Sequence, residues 1–121
     1  VTFGPLSERN YKQKINRKMN KLAVRVSLSE KLRADALVAL EALTVEGKTK
    51  ELAALKEAMN YTGTVMLLVD NATESMTRSI RNIPQFNMVR AIDVNVVDIL
   101  HHKHIIVTKE AIDVLTERLA A

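Results

Sequence analysis

"TVMLLVD" (64–70) runs straight into "NATESMTRSIRNI" (71–83), and the architecture turns on that pair. The first piece is short and almost wholly apolar, as a strand covered on both faces must be. The second carries Met76, Ile80 and Ile83 at helical spacing. Asn71, with Glu74 three residues on, supplies helix-start chemistry at the join. A buried strand feeding a helix is half of a parallel-sheet unit.

The same unit recurs outward in both directions. "MVRAIDV" (88–94) precedes "NVVDILHHK" (95–103), with Asn95 followed by Asp98 as a helix start. "HIIVT" (104–108) precedes "KEAIDVLTERLA" (109–120), where Thr108 stands at the join and Ile112, Leu115 and Leu119 form the apolar stripe. Upstream, "ALVALEAL" (36–43) precedes "KTKELAALKEAMN" (48–60), with Gly47 between and a stripe of Leu52, Leu55 and Met59. Ala, Leu and Glu favour helix, so propensity alone would carry a helix through 31–43. A strand is expected there because a helix would leave the sheet with three strands. Strand alternating with helix predicts an α/β fold whose parallel sheet is covered by helices on both faces.

The chain has 121 residues, which predicts a single domain, 1–121, with a real core. It divides into an extended leading segment (1–9), a basic helix (10–31) and the strand/helix units (36–121). No apolar run approaches the length of a membrane span. Cysteine is absent, which removes disulfides and thiolate metal sites. Charge is unevenly placed. Residues 1–33 hold nine Lys or Arg against Glu8 and Glu30, a net +7, whereas 34–121 come to −3. Such asymmetry points to a polyanionic partner at one end.

"YKQKINRKMNKLAVR" (11–25) holds six of those cations and no acid. Tyr11, Ile15, Met19, Leu22 and Val26 recur every three or four residues and predict the face by which this helix packs. Lys14, Lys18, Lys21 and Arg25 fall in a band roughly 60° wide, about 90° from that stripe, with Lys12 and Arg17 flanking. A solvated helix ordinarily mixes signs, because like charges three or four residues apart repel. A row of cations without interleaved acids suits closely spaced phosphates instead. Phe3, Tyr11, Tyr61 and Phe86 are too few aromatics, and too rarely in strands, for a sheet that stacks single-stranded bases. Recognition of backbone and folded shape is favoured. A membrane surface is disfavoured because Trp is absent and the apolar stripe is needed for packing.

Chemistry finds little footing. With only Gly4, Gly47 and Gly63, neither of the common glycine-rich phosphate cradles can be built, and no nucleotide cofactor is expected. "HHKH" (101–104) near Asp98 has metal-ligating residue types, but imidazoles at a helix end also suit the helix dipole, and no metal is expected. Asp70 ends a buried strand, where open parallel sheets place functional groups; a small phosphotransfer or hydrolase domain using Asp70 is the rival reading, against simple helix capping.

"FGP" (3–5), Arg9, Tyr11 and "KINRKMNKLAVRVSLSEK" (14–31) resemble the start of the core domain of the large-subunit ribosomal protein four family, bacterial or organellar type. The resemblance continues, collinear, through "KTKE" (48–51), "LLVD" (67–70), "RNIP" (81–84), "NVVDIL" (95–100) and "IIVTKEAI" (105–112). It implies a three-layer α/β/α domain with a four-stranded parallel sheet in the order 1-4-2-3. It implies a structural, non-enzymatic constituent of the large ribosomal subunit that binds large-subunit ribosomal RNA and supports assembly, with neighbouring ribosomal proteins as further partners and no small-molecule substrate. The implied location is the ribosome: cytoplasmic if bacterial, plastid or mitochondrial matrix if organellar. Carried over by position, the RNA contacts are Phe3, Gly4 and Pro5, then Arg9, Tyr11, Lys12, Lys14, Arg17, Lys18, Lys21 and Arg25, with Lys48, Lys50, Arg81 and Asn82 beyond them. Family members carry a further segment and a long Gly/Arg-rich loop before "FGP", so the resemblance implies that this chain is a fragment. They often have Arg-Arg where Asn20-Lys21 stands here, and Ser-Ala where Val26-Ser27 stands.

Overall fold

The computed structural model describes Gly4, Ser7, residues 12–41 and residues 49–120. In chain order the elements are α1 (Arg17–Arg33), β1 (Leu37–Leu40), α2 (Thr49–Ala58), β2 (Val65–Val69), α3 (Glu74–Ile80), β3 (Phe86–Arg90), α4 (Val96–His101), β4 (His104–Thr108) and α5 (Lys109–Arg118). The four strands form one parallel sheet in the order β1-β4-β2-β3. Leu37 lies opposite Ile105, and Val65 lies opposite both His104 and Phe86.

Period-two alternation divides the core between the two faces. Met66, Leu68, Ile105 and Val107 point to one side, where Val24 of α1, Ile99 of α4 and Ala111, Leu115 and Leu119 near α5 cover them. Val65, Leu67, Val69 and Ile106 point to the other, beneath Leu52 of α2 and Ile80 of α3. The result is three layers: α1, α4 and α5, then the sheet, then α2 and α3. Every residue of central β2 is buried, whereas edge strands β1 and β3 are only partly so. That is why "TVMLLVD" reads as a continuous apolar run and the edges do not.

Several boundaries differ from the sequence expectation. The helix after β2 is capped by Thr73, whose hydroxyl accepts from Met76 N, and not by Asn71. Asn95 and Thr108 cap α4 and α5 as expected. β3 begins at Phe86 and stops at Arg90. Ala91 N then donates to Val69 O at 2.8 Å, and Val94 N folds back to Arg90 O at 3.1 Å. Ile112 sits at the rim of α5, and Ala111 takes the inward position in its place.

The opening helix starts at Arg17, seven residues later than position 10; residues 12–16 are not helical. Its N-cap, Asn16, makes no side-chain cap bond, and the first turn contains no acid. Lys12 and Lys14 in a longer helix would place more positive charge against the positive end of its dipole. The other end is well closed. Ala36 N donates to Lys31 O at 2.9 Å and Asp35 N to Leu32 O at 3.1 Å, with Asp35 left-handed at φ 57°. This paired closure turns the chain directly into β1.

Candidate nucleic-acid interface

α1 rests on the domain by a face the apolar spacing did not indicate. Ile15, Met19, Leu22 and Val26 are 67%, 61%, 53% and 54% exposed. The inward residues are Val24 and Ser27, with Leu28 and Lys31 partly covered. Val24 joins the core cluster formed with Met66, Leu68 and Ile99. The buried Ser27 hydroxyl is satisfied by Ala23 O at 2.8 Å. Met19, Leu22 and Val26 thus face outward, about 150° around from the inward line, and Ile15, before the helix, is exposed as well. The packing role that argued against a membrane surface does not exist, although no helix among the described residues is long and apolar enough to cross a membrane.

The cation row survives this rotation. Lys18, Lys21 and Arg25 fall within about 60° on the flank between the inward face and the exposed apolar stripe. Lys12 and Lys14 precede the helix on the non-helical segment. All of these residues, with Arg17, are exposed. The ion pairs Arg33–Glu30, Arg78–Glu74 and Arg90–Asp93 involve none of Lys14, Arg17, Lys18, Lys21 and Arg25. Lys21 reaches only a backbone oxygen, Ala120 O, at 3.4 Å. Five cations therefore project without a carboxylate partner among the described residues.

The remaining expected contacts do not join this row. Lys50 lies in the first turn of α2; Arg81 and Asn82 follow α3; all three are exposed in the layer opposite α1. Gly4 is exposed, with nothing within 4 Å of where a Cβ would stand. Phe3, Pro5, Arg9, Tyr11 and Lys48 lie outside the described residues. Asp70 is exposed at the end of β2, and no group of three or more His, Asp or Glu among the described residues is arranged to hold a metal.

A second basic group was not assembled by the sequence reading. His102 is buried, with Nδ1 2.7 Å from Asp98 O and Nε2 2.9 Å from Asn87 Nδ2. A carbonyl only accepts, so Nδ1 carries the proton and Nε2 accepts from the amide. The carbonyl of His102 in turn receives Lys31 Nζ at 2.7 Å. Next along the chain, His104 stacks on Tyr61 with ring centroids 4.1 Å apart and planes 8° from parallel. Burial, and then the nearby Lys103 and Lys31 charges, hold His104 below its ordinary pKa, while burial raises that of Tyr61. The signal for this cluster was "HHKH", but only the α1–α4 contact brings Lys31 to it.

The Ribosomal protein L4/L1 family matches residues 1–118. The large ribosomal subunit protein uL4 of Brevibacillus brevis is 36% identical over 121 residues, which is 99% of this chain and 58% of that protein. The chain therefore spans little more than half the length of that relative. With the parallel 1-4-2-3 sheet and the basic α1 flank in place, the match over almost the whole sequence settles the relationship: the chain belongs to the ribosomal protein L4/L1 family.

Proposed function

We propose that this chain is a structural, non-enzymatic constituent of the large ribosomal subunit and that it binds large-subunit ribosomal RNA through α1. The observation that carries the reading is the exposed row Lys18, Lys21 and Arg25, extended by Arg17 and Lys14, with no carboxylate partner among the described residues. Unpaired like charge on one helix opposes folding unless an anion neutralises it. Closely packed phosphates of folded RNA do that at several points at once. The acid-free first turn of α1 fits the same partner, because a phosphate near that end complements the dipole.

The α/β block acts as a rigid support for that row. Lys50, Arg81 and Asn82 sit in the opposite layer and would meet a different strand of RNA, or none. Phe3, Gly4, Pro5, Arg9, Tyr11 and Lys48 stay with the proposal on the resemblance alone. Neighbouring ribosomal proteins are the further partners, and the ribosome is the location.

The test is binding of the chain to a large-subunit ribosomal RNA fragment against an unrelated structured RNA of equal length. Preference for the ribosomal RNA, unchanged in Asp70→Asn, supports the reading. Equal affinity for both RNAs, or an activity abolished by Asp70→Asn, contradicts it.

A further inference from the structure

The edge of the sheet at which the strands begin gathers groups that the α1 reading leaves unused. Lys103 and His101 are exposed there, Lys31 is half-buried, and the Tyr61–His104 stack lies among them. Thr64 pins the segment from both sides: its hydroxyl donates to His101 O at 3.3 Å and accepts from Lys103 N at 3.0 Å. Gly63, at φ 92°, lies under the Lys103 stem; a Cβ there would stand 3.2 Å from Lys103 Cδ. Glycine thus meets both the left-handed backbone and the close approach.

Beside the stack is an open hollow of about 760 Å³ between the end of α2 and the turn into β3. Tyr61, Ile83 and Pro84 supply apolar surface in its lining, and Lys56, Asn60 and Glu57 supply donors and acceptors. Lys56 Nζ donates to Pro84 O at 2.9 Å and Lys31 Nζ to His102 O at 2.7 Å. An ammonium has three N–H donors, so each keeps two for another partner. Aromatic surface beside fixed cations is the combination that holds an unpaired nucleotide, the base on the ring and the phosphate on the charge. An acidic peptide would use the cations but gain nothing from the ring.

We infer that this edge is a second RNA-contact surface, in which Tyr61 and the hollow take one unpaired base and Lys103, Lys31 and His101 hold the adjoining phosphates. The inference rests on the reading of the chain as an RNA-binding protein but not on α1 being the interface. Tyr61 stands between α2 and β2, outside the strands, so a sheet poor in aromatics does not exclude it. The surface would clasp a loop or bulge of the same RNA whose paired backbone lies along α1.

The experiment measures Kd of the chain for an RNA hairpin with an unpaired loop and for a fully paired duplex of equal length. The variants are Lys103→Gln with His101→Gln, Tyr61→Ala, Tyr61→Phe, and the helix variant Lys14, Lys18, Lys21 and Arg25→Gln. The expected result is that the parent prefers the hairpin, that Tyr61→Ala removes about tenfold of affinity for it, and that Tyr61→Phe, which keeps the ring, binds as the parent does. The exposed pair at 101 and 103 should cost about five- to tenfold without disturbing the fold. If only the helix variant weakens binding, the edge proposal is overturned and the α1 reading stands. If the edge variants weaken binding and the helix variant does not, the edge proposal stands without α1. If the parent binds neither RNA, both fall. Displacement of the hairpin by poly-glutamate, with no dependence on Tyr61, would assign the edge to an acidic protein and overturn the proposal.

Discussion

The ammonium of Lys31, in the last turn of α1, donates to the backbone carbonyl of His102, 71 residues away, at 2.7 Å. Among the described residues, it and the Lys21 bond to Ala120 O are the polar side-chain ties from the opening helix to the α/β block. The Lys31 bond also fixes α1 against the end of α4, where Asn87 and the Asp98 carbonyl hold the His102 ring. Lys31→Met keeps the apolar stem and removes the bond. It should cost about 1.5 kcal/mol in urea unfolding, the range for hydrogen bonds with one charged partner. A change below about 0.3 kcal/mol would show that the tie is not formed in solution.

The rotation of α1 makes its own prediction. Leu22→Ala and Val26→Ala remove side chains that are more than half exposed and should each shift stability by less than about 0.5 kcal/mol. Val24→Ala removes two buried methyl groups and should cost about 2 kcal/mol. The opposite ranking in chemical denaturation would restore the face that the apolar spacing predicts.

His104 carries a pH prediction. Its folded pKa lies below the ordinary 6.5, first through burial and then through the Lys103 and Lys31 charges. The unfolded chain therefore binds the proton more readily. The stability from keeping this ring neutral is fully present above about pH 6.5 and is lost as pH falls through that value toward the folded pKa. The melting temperature of the parent should fall more steeply from pH 7 to pH 5 than that of His104→Gln. Parallel curves would show that the ring titrates alike folded and unfolded.

The sheet was legible because burial on both faces leaves a run such as Val65–Val69 no polar position, and Asn95 and Thr108 sit where helices must begin. The 1-4-2-3 order was not legible from periodicity; it came with the family resemblance. The packing face of α1 misled for a physical reason. The larger apolar residues, Ile15, Met19, Leu22 and Val26, mark a stripe, but the residues the domain buries are the smaller Val24 and Ser27. The helix start misled because apolar spacing continues to Tyr11, while the dipole and the missing acids end the helix at Arg17. Of the site, Lys18, Lys21 and Arg25 could be read from spacing, whereas Lys14, counted in the same row, precedes the helix. The Lys31–Lys103–His104–Tyr61 group could not, because it depends on which loops a parallel sheet brings to one edge.

The rival reading of Asp70 is addressed by substitution. Asp70 is exposed, and no metal-holding cluster lies among the described residues. Asp70→Asn should leave RNA affinity within twofold and stability within about 0.5 kcal/mol. A tenfold loss of RNA binding would place this carboxylate in the interface.

Whether the flank of α1 neutralises RNA phosphates is decided by the salt dependence of binding to large-subunit ribosomal RNA. The parent is compared with the variant in which Lys14, Lys18, Lys21 and Arg25 are Gln. Each phosphate contact contributes roughly 0.7 to 0.9 to the slope of log K against log salt. The variant slope should be shallower by about 3, with weaker binding at every salt concentration. Equal slopes for parent and variant would contradict this and leave the row as a solvated helix face.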